Sequence, residues 1–112
     1  MATNNKIELA KLLADLRRTN RQQSGLNKKL TPISHADAYK VAHLVEKELG
    51  WDVGGWKIAA TNTTMQRALR TNTPIYGRVY SHFIMKSPVQ LNFDNLCSPI
   101  PEPDYQVFLE KD

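Results

Sequence analysis

The segment "GWKIAATN", residues 55–62, places Lys57 between Trp56 and Ile58 in a run of otherwise apolar residues. Glycines and an aromatic residue precede the apolar run, which predicts a turn followed by a short strand over residues 55–60. Burying an ammonium group costs free energy unless an anion pairs with it. Lys57 therefore either extends into solvent or lies beside anions.

A short helix is predicted directly after this strand, in "TNTTMQRALRTN". Asn62 or Thr63 is a suitable N-cap, and an apolar face over about two turns follows it. Because the first amides of a helix attract anions, Lys57 and the helix start around residues 61–64 are candidates to face one anionic ligand. The alternative is a lysine on an edge strand that reaches solvent.

Two amphipathic helices are predicted before residue 50. The first has leucines at i, i+3, i+4 and i+7 and should cover residues 4–23, ending at Ser24 and Gly25. The second should begin after Ser34, with Asp37 in its first turn, and end at Gly50. Its apolar face consists of Val41, Leu44, Val45 and Leu49.

The rest of the chain is predicted to be turns and short strands. "TPIYGRV", residues 73–79, is interpreted as a turn, and residues 79–83 and 89–93 as short strands. In the last segment, "DYQVFLEKD", apolar residues alternate as in a half-buried strand. A strand needs neighbours, so we expect the chain to be the front part of a longer protein or to borrow a partner chain.

Length and composition indicate one globular domain. The chain has 112 residues, 41% hydrophobic and 23% charged, which excludes disordered and fibrous classes. Charged residues interrupt the first apolar stretch, residues 7–16, so it is neither a signal-peptide core nor a membrane span. Cys97 is the single cysteine, so no disulfide can form within the chain, which favours a reducing, cytoplasmic location. Its side chain is expected to be buried.

The net charge of +4 comes largely from residues 17–29, which contain five cations and no acid. These are Arg17, Arg18, Arg21, Lys28 and Lys29. Such a stripe can bind phosphates, but this one lacks aromatic residues that would stack on bases. A solvated helix end and loop is the preferred interpretation, and no nucleic-acid or membrane partner is predicted. The histidines, His35, His43 and His82, lack the spacing of metal ligands.

Two acids near the C-terminal end are candidates to bind a cation. Glu102 and Asp104 are two residues apart on a predicted strand, so both carboxylates should project to the same side. Oxygen ligands favour magnesium, manganese or calcium over zinc. A substrate carboxylate held at Lys57 would then be able to chelate the same cation. The alternative for this E-x-D pair is a solvated acidic edge.

In this order and at these separations, "GWKIAATNTTMQ", "PIYGRV" and "PEPDYQVFLEKD" resemble the 2-keto-4-pentenoate hydratases of the fumarylacetoacetate hydrolase superfamily. Members typically read G-x-K-x-G-x-T, then P-x-x-G, then E-x-E before a hydrophobic strand. The "ADAY" of the second helix matches too, so the resemblance covers nearly the whole chain. Ala59 or Ala60 stands where members often carry glycine, a change expected to affect packing only.

The resemblance implies a metal site and a catalytic residue. Glu102 and Asp104 would bind a divalent metal, Mg²⁺ or Mn²⁺, together with a third acid expected after residue 112. Asp104 replaces a glutamate and shortens the reach of that carboxylate by one methylene. Lys57 corresponds to the family's catalytic lysine. The substrate-binding residues implied by the motifs are Thr61, Asn62, Tyr76 and Gly77.

The resemblance also implies a fold and an activity. The fold would be α+β, with an N-terminal helical region over residues 1–50. Residues 51–112 would form the first strands of a mixed β fold of fumarylacetoacetate hydrolase type, which would be incomplete relative to the family. The activity would be addition of water to a 2-hydroxy-2,4-dienoate, giving a 4-hydroxy-2-oxo acid in aromatic catabolism, by a homo-oligomer. Alternatives are a 4-oxalocrotonate-type decarboxylase and an inactive piece that only binds.

Overall fold

The computed structural model describes residues 1–110 as a mixed α+β chain, which confirms the fold class expected from the sequence. This described part contains three α-helices and one two-stranded antiparallel sheet. In chain order the elements are α1 (Thr3–Arg18), α2 (His35–Leu49), β1 (Val53–Ala59), α3 (Thr63–Ala68) and β2 (Ile75–Tyr80). Short 3-10 helices cover Lys28–Leu30, Ser81–Phe83 and Phe93–Asn95.

Local side-chain chemistry defines the ends of α2 as predicted. Ser34 Oγ accepts the backbone N–H of Asp37 at 3.1 Å, which satisfies one of the free amides of the first turn. Gly50 follows the helix with φ of 62°, the left-handed conformation that glycine adopts without steric penalty.

Helix α1 ends at Arg18, five residues before the predicted end. The hydroxyl of Thr19 donates to the carbonyl of Asp15 at 2.7 Å, and Asn20 then adopts φ of 52°. The helix ends here because the side chain of Thr19 bonds to the preceding turn and Asn20 is left-handed. The polar residues 19–23 that were assigned to the helix therefore lie outside it.

The hydrophobic core lies where α1 crosses α2. Leu9, Ala10, Leu30 and Val41 form one buried cluster, and Ala14, Leu49 and Tyr80 form the second. Both alanines of α1 are fully buried, which indicates that the helices approach closely there. Tyr80 is the residue that brings the sheet into this core.

A carboxylate ties the starts of the two long helices together. Lys6 Nζ lies 2.6 Å from one oxygen of Asp37, and the N-terminal amine of Met1 lies 3.3 Å from the other. The hydrogen bond from Lys6 lowers the pKa of the Asp37 carboxyl below its ordinary value, burial partly opposes this, and the N-terminal amine adds to the lowering.

The register of the sheet assigns its side chains to two faces. Lys57 pairs with Gly77, Trp56 with Arg78, and Ile58 with Tyr76. Because successive side chains of a strand point to opposite faces, these pairs alternate between the faces. The face that carries Trp56, Tyr76, Arg78 and Tyr80 is called the helix face here, since Tyr80 packs on α1 and α2. The face that carries Lys57 and Gly77 is called the lysine face.

Four predictions for the C-terminal half were wrong in whole or in part. Residues 73–79 are not a turn, because most of them form β2, whose backbone pairs with β1. The strand predicted over residues 79–83 ends at Tyr80, and residues 89–93 form no strand. The last predicted strand is also missing from residues 104–110, and its remaining residues, 111 and 112, lie outside the described part.

The last of these errors has a physical cause. Tyr105, Val107 and Leu109 alternate with the period of a strand, but all three are exposed and no neighbouring strand pairs with them within residues 1–110. A single extended segment leaves its backbone groups without strand partners, so the alternation alone does not produce a strand.

Cys97 is exposed, contrary to the prediction that it is buried. Its thiol lies 3.4 Å from Oδ1 of Asn20, and its carbonyl accepts the side chain of Gln22 at 3.2 Å. The loop is therefore held against the residues after α1 by polar contacts and not by burial. No helix within residues 1–110 has the length and apolar character that crossing a membrane requires.

Ala60 has a backbone conformation that is unusual for a residue with a Cβ. It follows β1 with φ of 55° and is buried, with 5% of its surface exposed. The left-handed region costs roughly 1–2 kcal/mol for a residue with a Cβ. Alanine at residue 60 therefore strains the backbone. The second glycine of G-x-K-x-G-x-T aligns with Ala59, so the expectation that its replacement affects packing only stays a prediction.

We predict that Ala60→Gly raises the free energy of unfolding by up to about 1 kcal/mol, because relief of the left-handed strain exceeds the extra chain entropy of glycine. Urea unfolding measures the change. Ala14→Gly is the matched control: Ala14 lies inside α1 and is fully buried, so this change should destabilise the protein by about 1 kcal/mol or more. Equal losses in both variants would contradict the prediction.

We predict that Asp37→Asn flattens the acid limb of the stability profile. A carboxyl whose pKa is lowered on folding contributes stability that is complete above its ordinary value of 3.8 and is lost as the pH falls through the lower value of the folded state. Thermal unfolding of the parent protein between pH 2 and 6 should therefore steepen below about pH 4, and the variant should lose part of that slope. Asp94→Asn, at an exposed residue, should keep the parent profile.

Candidate functional site

Lys57 lies beside both acids that were singled out in the sequence. Its Nζ is 3.3 Å from Oε2 of Glu102 and also contacts Oδ2 of Asp104. The side chains are partly exposed, by 44% for Lys57, 66% for Glu102 and 56% for Asp104. The amine of Lys57 is therefore paired with anions, which is one of the two interpretations of the sequence. The cluster is open to solvent.

Strand pairing positions the amine, and prolines position the acids. Lys57 is held in the middle of β1 by its pairing with Gly77. Glu102 stands between Pro101 and Pro103, and the residue before a proline is restricted to extended conformations. In an extended segment, side chains two apart project to the same side. Both carboxylates reach one amine for this reason, although the segment is not a strand.

The cluster contributes little to folding stability. Ion pairs as exposed as these are worth about 0–1 kcal/mol each, because water screens them and two flexible side chains lose freedom. Two carboxylates and one ammonium also leave a net charge of −1 at the cluster. Its significance lies in this local excess of negative charge, which attracts a cation.

The two carboxylates can share one cation, since they already share the ammonium of Lys57. A pair of oxygen donors suits Mg²⁺ or Mn²⁺, and Mg²⁺ usually keeps several waters beside one or two carboxylates. Within residues 1–110, however, no group of three or more His, Cys, Asp or Glu side chains could hold a metal. At this cluster the described residues thus supply two acidic ligands, Glu102 and Asp104.

Gly77 is a direct neighbour of Lys57 across the sheet, and a Cβ added there would meet nothing within 4 Å. The lysine face is therefore open to solvent at Gly77.

The start of α3 does not behave as a free anion site. Asn62 Oδ1 accepts the backbone N–H of Met65 at 2.9 Å, so the side chain caps a helix of only six residues. Thr61 and Asn62 are both exposed, and within residues 1–110 neither makes a hydrogen bond to Lys57. Their role in substrate binding stays a prediction.

Tyr76 lies on the other face of the sheet from Lys57. It pairs with Ile58, one residue along β1, and its ring stacks on Tyr39 of α2 with centroids 4.4 Å apart. Of the two residues that the "PIYGRV" motif implied, Gly77 is beside the amine and Tyr76 is not. The side chain of Tyr76 is therefore directed away from Lys57, and its role in substrate binding stays a prediction.

The sequence interpretation missed a second cluster, on the helix face. Tyr39, Glu46, Trp56, Tyr76 and Arg78 line one cavity between α2 and the sheet. The sequence did contain a signal for this cluster. In "IYGRVY", Tyr76, Arg78 and Tyr80 recur at every second residue, which is the period of a strand and places the three side chains on one face. It was overlooked because the segment was assigned to a turn.

Several of the basic residues make contacts within the chain. Arg18 donates to the carbonyl of Glu48, Arg21 pairs with Asp15 at 3.0 Å, and the guanidinium of Arg17 lies 5.2 Å from the centroid of Tyr80.

The three histidines are exposed, as the sequence interpretation allowed. His43 Nδ1 lies 3.8 Å from Glu46, and His82 packs edge-on against Trp51 with ring centroids 4.5 Å apart.

Comparisons with protein-family models, with curated proteins and with solved structures find no match to this chain. The hydratase resemblance thus stands on the sequence motifs alone.

We predict that Lys57→Met detaches residues 102–104 from the sheet, because two carboxylates lose the cation that they share. The ¹⁵N relaxation of the Glu102 and Asp104 amides should show greater mobility on the nanosecond timescale. Lys86→Met is the control, since Lys86 is exposed and has no ion-pair partner within residues 1–110. Unchanged mobility in Lys57→Met would show that the segment is held by something other than the ion pairs.

Proposed function

We propose that this chain belongs to a metal-dependent hydratase that adds water to a 2-hydroxy-2,4-dienoate, the enol form of a 2-oxo-4-enoate, and forms a 4-hydroxy-2-oxo acid. The observation that supports the proposal most is the contact of Lys57 with both Glu102 and Asp104. The sequence motifs that carry these three residues are far apart in the chain, and the same motifs carry the family resemblance. The finer fold, of fumarylacetoacetate hydrolase type, is part of this proposal.

In this proposal Glu102 and Asp104 hold a divalent metal, Mg²⁺ or Mn²⁺, whose remaining ligands are water and substrate oxygens together with a further acid. The bound metal would act as a Lewis acid towards negative charge on the carboxylate and 2-oxygen of the substrate. The two carboxylates supply the negative charge that retains the cation, and the shorter side chain of Asp104 sets how far its oxygen reaches.

Lys57 has two roles in this proposal. Its ammonium would stabilise negative charge on the substrate, and it would donate a proton as the double bond is hydrated. The amine is held by β1, a paired strand, so its position is defined better than that of a loop residue. Open space over Gly77 admits the substrate to this face.

Two other functions remain as alternatives. A 4-oxalocrotonate-type decarboxylase would use the same motifs and the same three residues. An inactive binding piece would keep the cluster without turnover, and the limit of two acidic ligands within residues 1–110 favours that alternative for the chain taken alone.

The metal part of the proposal is tested by titrating Mn²⁺ and following the EPR signal of the free ion. We expect Glu102→Gln and Asp104→Asn each to weaken binding at least tenfold, because each removes one of two charged oxygen ligands. Asp104→Glu should bind at least as tightly as the parent, since it restores the longer side chain. Asp94→Asn, an exposed acid elsewhere, is the matched control. Equal affinities across all the variants would exclude these acids as ligands.

The chemical part is tested by incubating the protein and Mn²⁺ with 2-hydroxy-2,4-pentadienoate and following the products by NMR. We expect a 4-hydroxy-2-oxo acid, and at least a 100-fold slower rate with Lys57→Met because the charged proton donor is lost. Release of carbon dioxide from 4-oxalocrotonate, without hydration of the dienoate, would favour the decarboxylase instead. Metal binding without either product would favour the binding piece.

A further inference from the structure

The helix face of the sheet forms one wall of a cavity of about 530 Å³, and α1 and α2 form the other walls. This volume lies in the range of small-molecule sites. Tyr76 stacks on Tyr39, and Trp56 meets Tyr76 edge to face with centroids 5.5 Å apart. Trp56 and Tyr76 are each 53% exposed, although both line the cavity. Two aromatic side chains that line the cavity are therefore about half exposed.

The charges around the cavity leave one positive group without a carboxylate. The guanidinium of Arg78 lies 3.6 Å from the ring centroid of Trp56, and its Nε is 3.1 Å from Glu46 Oε2, so this charge is neutralised. Arg17 lines the same cavity and lies over the ring of Tyr80. No carboxylate within residues 1–110 pairs with Arg17. With neutral His43, the lining carries a net charge of +1.

We propose that this cavity binds a small planar aromatic carboxylate, with its ring against Trp56 and Tyr76 and its carboxylate on the guanidinium of Arg17. Half-exposed aromatic side chains in the lining favour a flat, apolar ring. The net charge of +1 is complementary to a monoanion and opposes a cationic ligand. A phosphate ester fits less well, because its second negative charge would face Glu46 or remain without a partner.

This site is separate from the proposed hydratase site. Lys57 is on the opposite face of the same two strands, so the sheet lies between the two sites. The inference does not depend on the proposed function, and either can fail alone. Lys57→Met should therefore leave binding to the helix face within twofold of the parent value.

The test uses benzoate as the probe and ¹H–¹⁵N NMR as the readout. We expect the indole N–H of Trp56 to shift as benzoate is added, and that of Trp51 to shift much less, because Trp51 does not line the cavity. Benzamide has the same shape without the charge and should bind about tenfold more weakly, since it lacks a charge-assisted bond to a guanidinium. Equal binding of benzamide, or no shift of Trp56 at 50 mM benzoate, would overturn the proposal.

Substitutions at Arg17 test the residue assigned to the carboxylate. Arg17→Gln should weaken benzoate binding about tenfold without affecting benzamide, and Arg17→Lys should recover part of the loss. Arg21→Gln is the matched control, because Arg21 is exposed, follows the same helix and pairs with Asp15 away from the cavity. Since Arg17 is exposed, the variants should retain the parent spectrum elsewhere. Unchanged benzoate affinity in Arg17→Gln would refute the assignment.

Discussion

Backbone pairing between Lys57 and Gly77 determines which side chains of the sheet meet the helices and which meet the C-terminal segment. A shift of the register by one residue would exchange the two faces, because side chains alternate along a strand. Burial of Tyr80 between α1 and α2 opposes such a shift, since it would remove a large aromatic side chain from the core. The site on the lysine face thus depends on packing on the other face.

The ion-pair clusters at Asp37 and at Lys57 differ in the balance of their charges and in their burial. At Asp37 one carboxylate meets two ammonium groups, and the participating side chains are largely buried. Its polar groups are satisfied and it holds two helices together. At Lys57 two carboxylates meet one ammonium and all three side chains are about half exposed. Excess negative charge and access to solvent are the features of that cluster on which the proposed function rests.

The sheet presents different chemistry on its two faces. The lysine face offers charged, flexible groups beside the open space over Gly77, which suits a small polar acid that is coordinated by a metal. The helix face offers aromatic rings and one arginine whose charge no carboxylate neutralises within residues 1–110, which suits a flat apolar ring with one negative charge. Two strands are enough to separate these environments, because each residue contributes its side chain to one face only.

Local chemistry in the sequence determined the mixed α+β class, the ends of α2 at Ser34 and Gly50, and the cap of α3 at Asn62, since each depends on residues a few positions apart. It also brought Lys57, Glu102 and Asp104 forward as one set. Tertiary structure alone decided which segment pairs with "IYGRVY", because its hydrogen-bond partners lie some 20 residues earlier in β1. It likewise decided that Tyr76 faces away from Lys57 and that residues 104–110 form no strand, because strand pairing is a long-range interaction that no local pattern specifies.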